Sequence, residues 1–382
     1  MAAQYDQDES YASHQYIMAT ELNLMPHEVI LRRTLTPNSI ISIKSSFARR
    51  FHHAVAHPEL QVVVEIGKGL QGSVFEQLGH ALAMKKERRG NERLRTSLKK
   101  EYSLHSAVLE AFGLYGEMVE STVRVPRLFS IVNRTNDDFW GEYLPKLPED
   151  CRTRGTLVQM ERILPLPKIV RESLINYFYP REDASALDPS VVQHILDSTP
   201  NKHCLARTYL GRDDGVFTRE KFSLRNFPLY LKSMERLGLD TPNIAASMGK
   251  AYALMHWGAG VNGDHVEFVL GTSAVRGPKG PPGTPGTQHR AVGLYLIDFG
   301  QCESVDLSEE PEEVYQALKV AMVTGDSQLF IPHYRKSPEL YSVFKEAYID
   351  AGRLILVEKG LDSNFNVDEF MIEYEDYTED FL

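Results

Sequence analysis

The sequence predicts an α+β fold in two lobes, a small β-rich one followed by a larger, mainly helical one. Three observations carry this reading. Gln61–Ile66 reads as a strand, the run Gly67-Lys68-Gly69-Leu70-Gln71-Gly72 follows it, and Ala81–Lys85 reads as the next strand, ending in a lysine. The prolines of Leu164-Pro165-Leu166-Pro167 disfavour both helix and interior strand, so they mark a hinge after Met160–Ile163. Beyond the hinge, apolar spacing reads mostly as helix. With 382 residues, 42% of them hydrophobic, the chain can bury a large core.

Taken in order, residues 1–25 are expected to be disordered, and Met1–Ser13 is polar and acidic, unlike a signal peptide. Residues 26–163 are expected to form the small lobe. Its first part, residues 26–60 with Arg32-Arg33 and Arg49-Arg50, reads as a loose lead-in to the sheet. The two loop strands follow, then a helix over Arg93–Phe112 and strands near Arg127–Val132 and Thr156–Met160. Leu94, Leu98, Leu104, Val108 and Phe112 give that helix a rough apolar stripe. In the second lobe, residues 164–360, helices are expected over Arg171–Phe178, Pro189–Asp197, Phe227–Leu237, Ile244–His256, Val314–Met322 and Pro338–Glu358. Asp188 and Ser337, each before a proline, make N-caps with proline at the first helical position. Gly277–Gly286 has three collagen-like triplets, far too few for a triple helix, and reads as a flexible loop. Residues 361–382 read as an acidic tail.

The net charge is −10, but it is unevenly spread. From Leu361 to Leu382 there are eight acidic residues and no basic ones, and the rest of the chain carries only −2. Between Met84 and Glu101, Lys85, Lys86, Arg88, Arg89, Arg93, Arg95, Lys99 and Lys100 face three glutamates, a local +5. Such asymmetry can steer an anionic partner, and its alternative is a solvated basic face. No apolar run reaches the roughly 18 residues of a membrane span. Three cysteines without ligand-like spacing predict neither disulfides nor zinc, and fit a cytoplasmic protein.

The strand–loop–strand order resembles protein kinases, not the strand–loop–helix of dinucleotide-binding proteins. The resemblance implies that Gly67, Gly69 and Gly72 close over phosphates and that Lys85 pairs with their oxygens. Glu101, in the expected helix, would hold Lys85. Asp298, in Asp298-Phe299-Gly300 after the apolar strand Val292–Ile297, would bind magnesium wherever a nucleotide is bound. Where a kinase has H-R-D-x-x-x-x-N, this chain has Asn262-Gly263-Asp264, and Val269 stands at the asparagine position. Asp264 is the candidate base and Glu267 the nearest polar replacement for the second metal ligand. Asp264 as a plain turn residue is the alternative. Ordinary protein phosphorylation is not the expectation. The 13 histidines form no metal constellation, and no G-x-S-x-G elbow is present.

Several longer runs carry a more specific resemblance. Met160–Pro167, Leu205–Arg212, Phe222–Leu229, His256–Gly260, Val266–Gly271 and Leu296–Cys302 are together similar to a fungal family long labelled a domain of unknown function. The similarity spans residues 30 to 358. In that neighbourhood lie fungal arginine-containing cyclodipeptide synthases, which implies an enzyme that joins arginine and a second amino acid, both carried on tRNA, into a diketopiperazine. Their D-D-x-x-E motif is matched by Gly263-Asp264-His265-Val266-Glu267, with glycine in first place. On this reading the partner is aminoacyl-tRNA, including arginyl-tRNA, the basic run is the RNA surface, and no cofactor, DNA or membrane is involved. An ATP-dependent phosphotransferase using magnesium-ATP and a non-catalytic pseudokinase-like adaptor are the competing expectations.

Overall fold

The structure, a computed structural model, describes residues 16–44, 57, 62–69, 71–77, 80–87, 97–182, 186–275 and 287–380. The fold is mixed α+β, built on two sheets. The strands are β1 (Tyr16–Met18), β2 (Ile40–Lys44), β3 (Val63–Lys68), β4 (Gly72–Gln77), β5 (Leu82–Glu87), β6 (Leu128–Val132), β7 (Leu157–Glu161), β8 (Ala206–Tyr209), β9 (Phe227–Tyr230), β10 (Glu267–Val275) and β11 (Thr287–Ile297). One sheet is antiparallel, in the order β3-β4-β5-β7-β6. The other runs β1-β2-β11-β10-β8-β9, with parallel pairs at both edges.

Alternation in the first sheet sets which groups face the site. Val74 lies opposite Lys85, and Ser73 lies opposite Lys86. Adjacent side chains on a strand point to opposite faces, so Lys85 and Lys86 part company. Gly72 is required by packing, because a Cβ there would run into the carbonyl oxygen of Lys86 across the ladder. Phe75, Met84, Trp140, Leu147 and Leu157 form a small core under this sheet.

The helix Leu98–Tyr115 starts at Ser97, whose Oγ accepts from the Lys100 N–H at 3.2 Å. Its buried Leu104 and Val108 belong to the larger core, with Leu254, Trp257 and Phe299. The helix that carries Glu101 is therefore anchored outside the sheet that carries Lys85. The helices Thr241–Ala253 and Pro338–Lys359 cross closely at Gly249, where a Cβ would meet the Phe344 carbonyl oxygen. The first of them continues into a π-type turn, Leu254–Ala259, closed by Gly260 at φ +62°.

Several expectations are corrected. Within residues 1–25, Tyr16–Met18 is a strand and Ala19–Leu22 a helix, held because Ile17 and Leu22 are fully buried. The lead-in over 26–60 contains the helix His27–Thr34 and β2, which pairs with β11 in the second sheet and not with the glycine-loop strands. The later half is not simply helical, since Phe227–Tyr230 pairs with β8 as a strand before the helix Leu231–Arg236. The prolines after β7 do not leave a free hinge, because Leu164 and Thr272 exchange backbone hydrogen bonds at 2.8 Å. The acidic tail is a helix, Val367–Glu379, capped by Asn366 and buried at Val367, Phe370, Met371 and Tyr374. Its acids are matched from neighbouring helices, by Lys319 to Glu373, Lys345 to Glu375 and Arg353 to Asp368. Pro189–Asp197 forms as expected, with Asp188 accepting from the Ser190 N–H, and the expected strands near Arg127–Val132 and Thr156–Met160 form within a residue of their bounds. Gly277–Gly286 lies outside the described residues. Among the described residues no helix is long and apolar enough to cross a membrane.

Candidate functional site

Lys85, Glu101 and Asp298 converge. Lys85 Nζ donates to Glu101 Oε1 at 2.6 Å and to Asp298 Oδ1 at 3.4 Å. Burial alone would pull the Lys85 ammonium down, but Asp298 and Glu101 outweigh it and leave its pKa raised. The lysine is thus a fixed cation. Asp298 sits at φ +67°, a left-handed conformation costly for a residue with a Cβ, and its side chain is half exposed.

The glycine loop closes onto this trio. Gly69 N–H donates to the Gly72 carbonyl at 2.9 Å, tightening the turn between β3 and β4. Gly67 faces Val74, and a Cβ at Gly69 would make only an ordinary contact with the Gly72 carbonyl oxygen. Gln71 reaches across to the segment after Asp298, its Nε2 donating to the Gly300 carbonyl at 2.7 Å. Arg225 Nη2 donates to the Lys68 carbonyl at 3.1 Å and braces the loop from the other side.

The second acidic pair lies at the start of β10. Register places Glu267 opposite Ile297, one residue before Asp298. Arg207 lies opposite Val269, so its side chain reaches Glu267 diagonally and pairs with it at 2.5 Å. Burial lifts the Glu267 carboxyl to about 7, against the downward pull of Arg207. Asp264 accepts from Thr324 Oγ1 at 3.3 Å and pairs with His265 Nδ1 at 2.8 Å. Gly263 and His265 flank it with positive φ, so the aspartate is presented by a strained, tightly determined turn. Asn262 ties this turn to the segment beyond Asp298, its Oδ1 accepting from the N–H groups of Asp264 and Glu303. The carboxylates share one neighbourhood. After burial itself, Asp264, Asp298 and Glu101 all help push the Cys302 thiol well above its ordinary value.

The basic run divides. Lys86 is buried on the face away from Lys85 and donates to Thr153 Oγ1 at 3.1 Å, so it does not belong to an RNA surface. Lys99 is exposed, and Lys100 pairs with Glu303. Arg88, Arg89, Arg93 and Arg95 lie outside the described residues. Behind the sheet, Glu65, Asp150 and Cys151 offer ligand atoms within 4.8 Å of one another. Burial, Asp150 and Glu65 push that thiol up, which disfavours the thiolate a metal takes.

Three site residues escape the motif reading: Gln71, Arg207 and His105. His105 lies one turn beyond Glu101, and its ring packs on Phe299 at 4.7 Å between centroids. Burial lowers it to about 4, so it is neutral and its Nε2–H donates to the Pro126 carbonyl at 2.8 Å. The i, i+4 spacing from Glu101 was its signal. Arg207 had only its alternation in a short strand, and Gln71 had none beyond its place in the loop. No protein-family model matches the chain, and no curated protein matches it.

Proposed function

We propose that the chain is an enzyme of protein-kinase-like, two-lobed fold that joins arginine, delivered on tRNA, to a second amino acid as a cyclic dipeptide. The observation that carries this reading is the Glu267–Arg207 pair. In a two-metal phosphotransferase of the kinase type a catalytic-loop asparagine holds the second metal ion, and here Val269 stands at that position with Glu267 the nearest polar replacement. Glu267 gives Oε1 to the Arg207 guanidinium, which cancels the charge a second magnesium ion needs and leaves its other oxygen for a proton. Asp298 stays the most exposed carboxylate of the group. An aminoacyl ester needs less: two esters held in place and a base for the attacking amine. Glu267, held near 7, is matched to that proton at neutral pH. Its amine-derived proton passes to the departing tRNA hydroxyl as the ester C–O bond breaks and the amide bond forms. A second such attack closes the ring. Asp264, fixed by Thr324, orients the ammonium before it is deprotonated. Lys85 and the glycine loop hold a phosphate of the RNA end.

A second reading, phosphotransfer from magnesium-ATP, is favoured by the intact Lys85–Glu101–Asp298 trio. Asp298 fits as the ligand of one magnesium ion, which would neutralise phosphate charge. The residues do not fit a second ion. The deciding experiment is mass spectrometry of small products from purified protein given amino acids, tRNA and aminoacyl-tRNA synthetases, with and without ribonuclease. Ribonuclease-sensitive cyclo(Arg-Xaa), lost in Glu267→Gln by about 100-fold or more, is expected. A phosphorylated product that needs magnesium-ATP would install the second reading instead.

A further inference from the structure

Lys85 Nζ has three N–H donors, and three side-chain oxygens take them: Glu101 Oε1 at 2.6 Å, Gln71 Oε1 at 3.1 Å and Asp298 Oδ1 at 3.4 Å. The far end of the same Gln71 amide donates to the Gly300 carbonyl at 2.7 Å. One neutral side chain at the glycine-loop tip thus bridges the lysine and the backbone beyond Asp298. The fit is tight, because a Cβ at Gly300 would run into the Gln71 amide.

We propose that Gln71 is a latch on the phosphate site, occupying the lysine's coordination sphere until phosphate oxygens displace it. The inference rests on the reading of Lys85 as a phosphate-binding cation. A phosphate can reach that ammonium only by taking over a donor already in use. Glu101 is buried and makes the short, charge-assisted bond, so it stays. Asp298, though at 3.4 Å, is held by its opposite charge, whereas the amide is the one uncharged acceptor of the three, so it leaves first. As it swings out, the hydrogen bond from the loop to the Gly300 carbonyl breaks and the way to Asp298 opens. Ligand affinity is then reduced by the fraction of molecules in which the latch is closed. The shared ligand chemistry is a phosphate ester of adenosine, from a free nucleotide or from an RNA end.

The test titrates full-length wild type, Gln71→Ala, Gln71→Glu and Lys85→Met with magnesium-ATP and, separately, with total tRNA, after thermal melts confirm that each variant is folded. With whichever probe binds, Gln71→Ala is expected to bind roughly tenfold tighter than wild type, the equivalent of one to two net hydrogen bonds. Gln71→Glu, whose carboxylate would grip Lys85 as an ion pair, is expected to bind more weakly. Opposite effects at one position are not the signature of a general loop disturbance. If Gln71→Ala binds no tighter than wild type while Lys85→Met weakens binding, the latch is overturned and the phosphate site stands. If no variant binds either probe, the site reading falls and the latch with it.

Discussion

Glu267 sets two measurable behaviours of opposite kind. Its folded pKa of about 7 lies above the ordinary 4.5, so the folded state holds a proton that the unfolded chain has already released. Stability from this group is complete below pH 4.5 and is lost as pH rises through 7, by on the order of 1–3 kcal/mol. Thermal melts from pH 4 to pH 8 should therefore show Glu267→Gln with a flatter decline than wild type over that window. A parallel decline in both would mean that another group is responsible. Turnover should run the other way in wild type, rising through pH 7 as the carboxylate forms. At this scale the sequence was legible wherever a motif fixed identity and spacing together. Lys85, Glu101 and Asp298 were readable because two motifs and a helix each named one of them. Arg207 was not, since its role comes from register between β8 and β10, a pairing that no local pattern encodes.

Elements were legible where local chemistry decides and obscure where tertiary burial does. The helix Pro189–Asp197 carries its own cap and its own proline, and its bounds could be read directly. Phe227–Tyr230 is apolar enough for either state, and it became a strand only because β8 offers a partner. Helix crossings were invisible in the same way. Gly249 lies in the Thr241–Ala253 helix, where glycine costs stability, yet it allows the Pro338–Lys359 helix to approach. Replacing it by alanine improves helix propensity but sets a methyl group against the Phe344 carbonyl. The expected net result of Gly249→Ala is a loss of roughly 1–3 kcal/mol in denaturant unfolding. A gain in stability would show that the two helices can separate freely.

Across the whole molecule, charge misled where periodicity would not have. Residues after Leu361 looked like a tail because their acids have no basic neighbours in sequence. Val367, Phe370, Met371 and Tyr374 follow the i, i+3, i+4, i+7 spacing of a buried helix face, and their partners' lysines and arginine come from elsewhere in the chain. Each such side chain contributes roughly 1.5–3 kcal/mol when buried. Together they rival the net stability of an ordinary domain, about 5–15 kcal/mol. A chain ending at Gly360 is expected to be insoluble or unfolded, and a soluble, cooperatively melting product would contradict this packing. The six-stranded sheet has a further effect, on the order of events during synthesis. Every strand of the β3–β7 sheet lies between Val63 and Glu161, so that sheet can assemble once its own residues have emerged. The strands β1 and β2 are made earlier still and pair with each other, but β11, the other neighbour of β2, ends only at Ile297. They must therefore wait beside a finished neighbour, with apolar Ile17, Ile40 and Ile41 uncovered, until β11 has emerged. Strands made before the whole β3–β7 sheet are thus among the last to find their place.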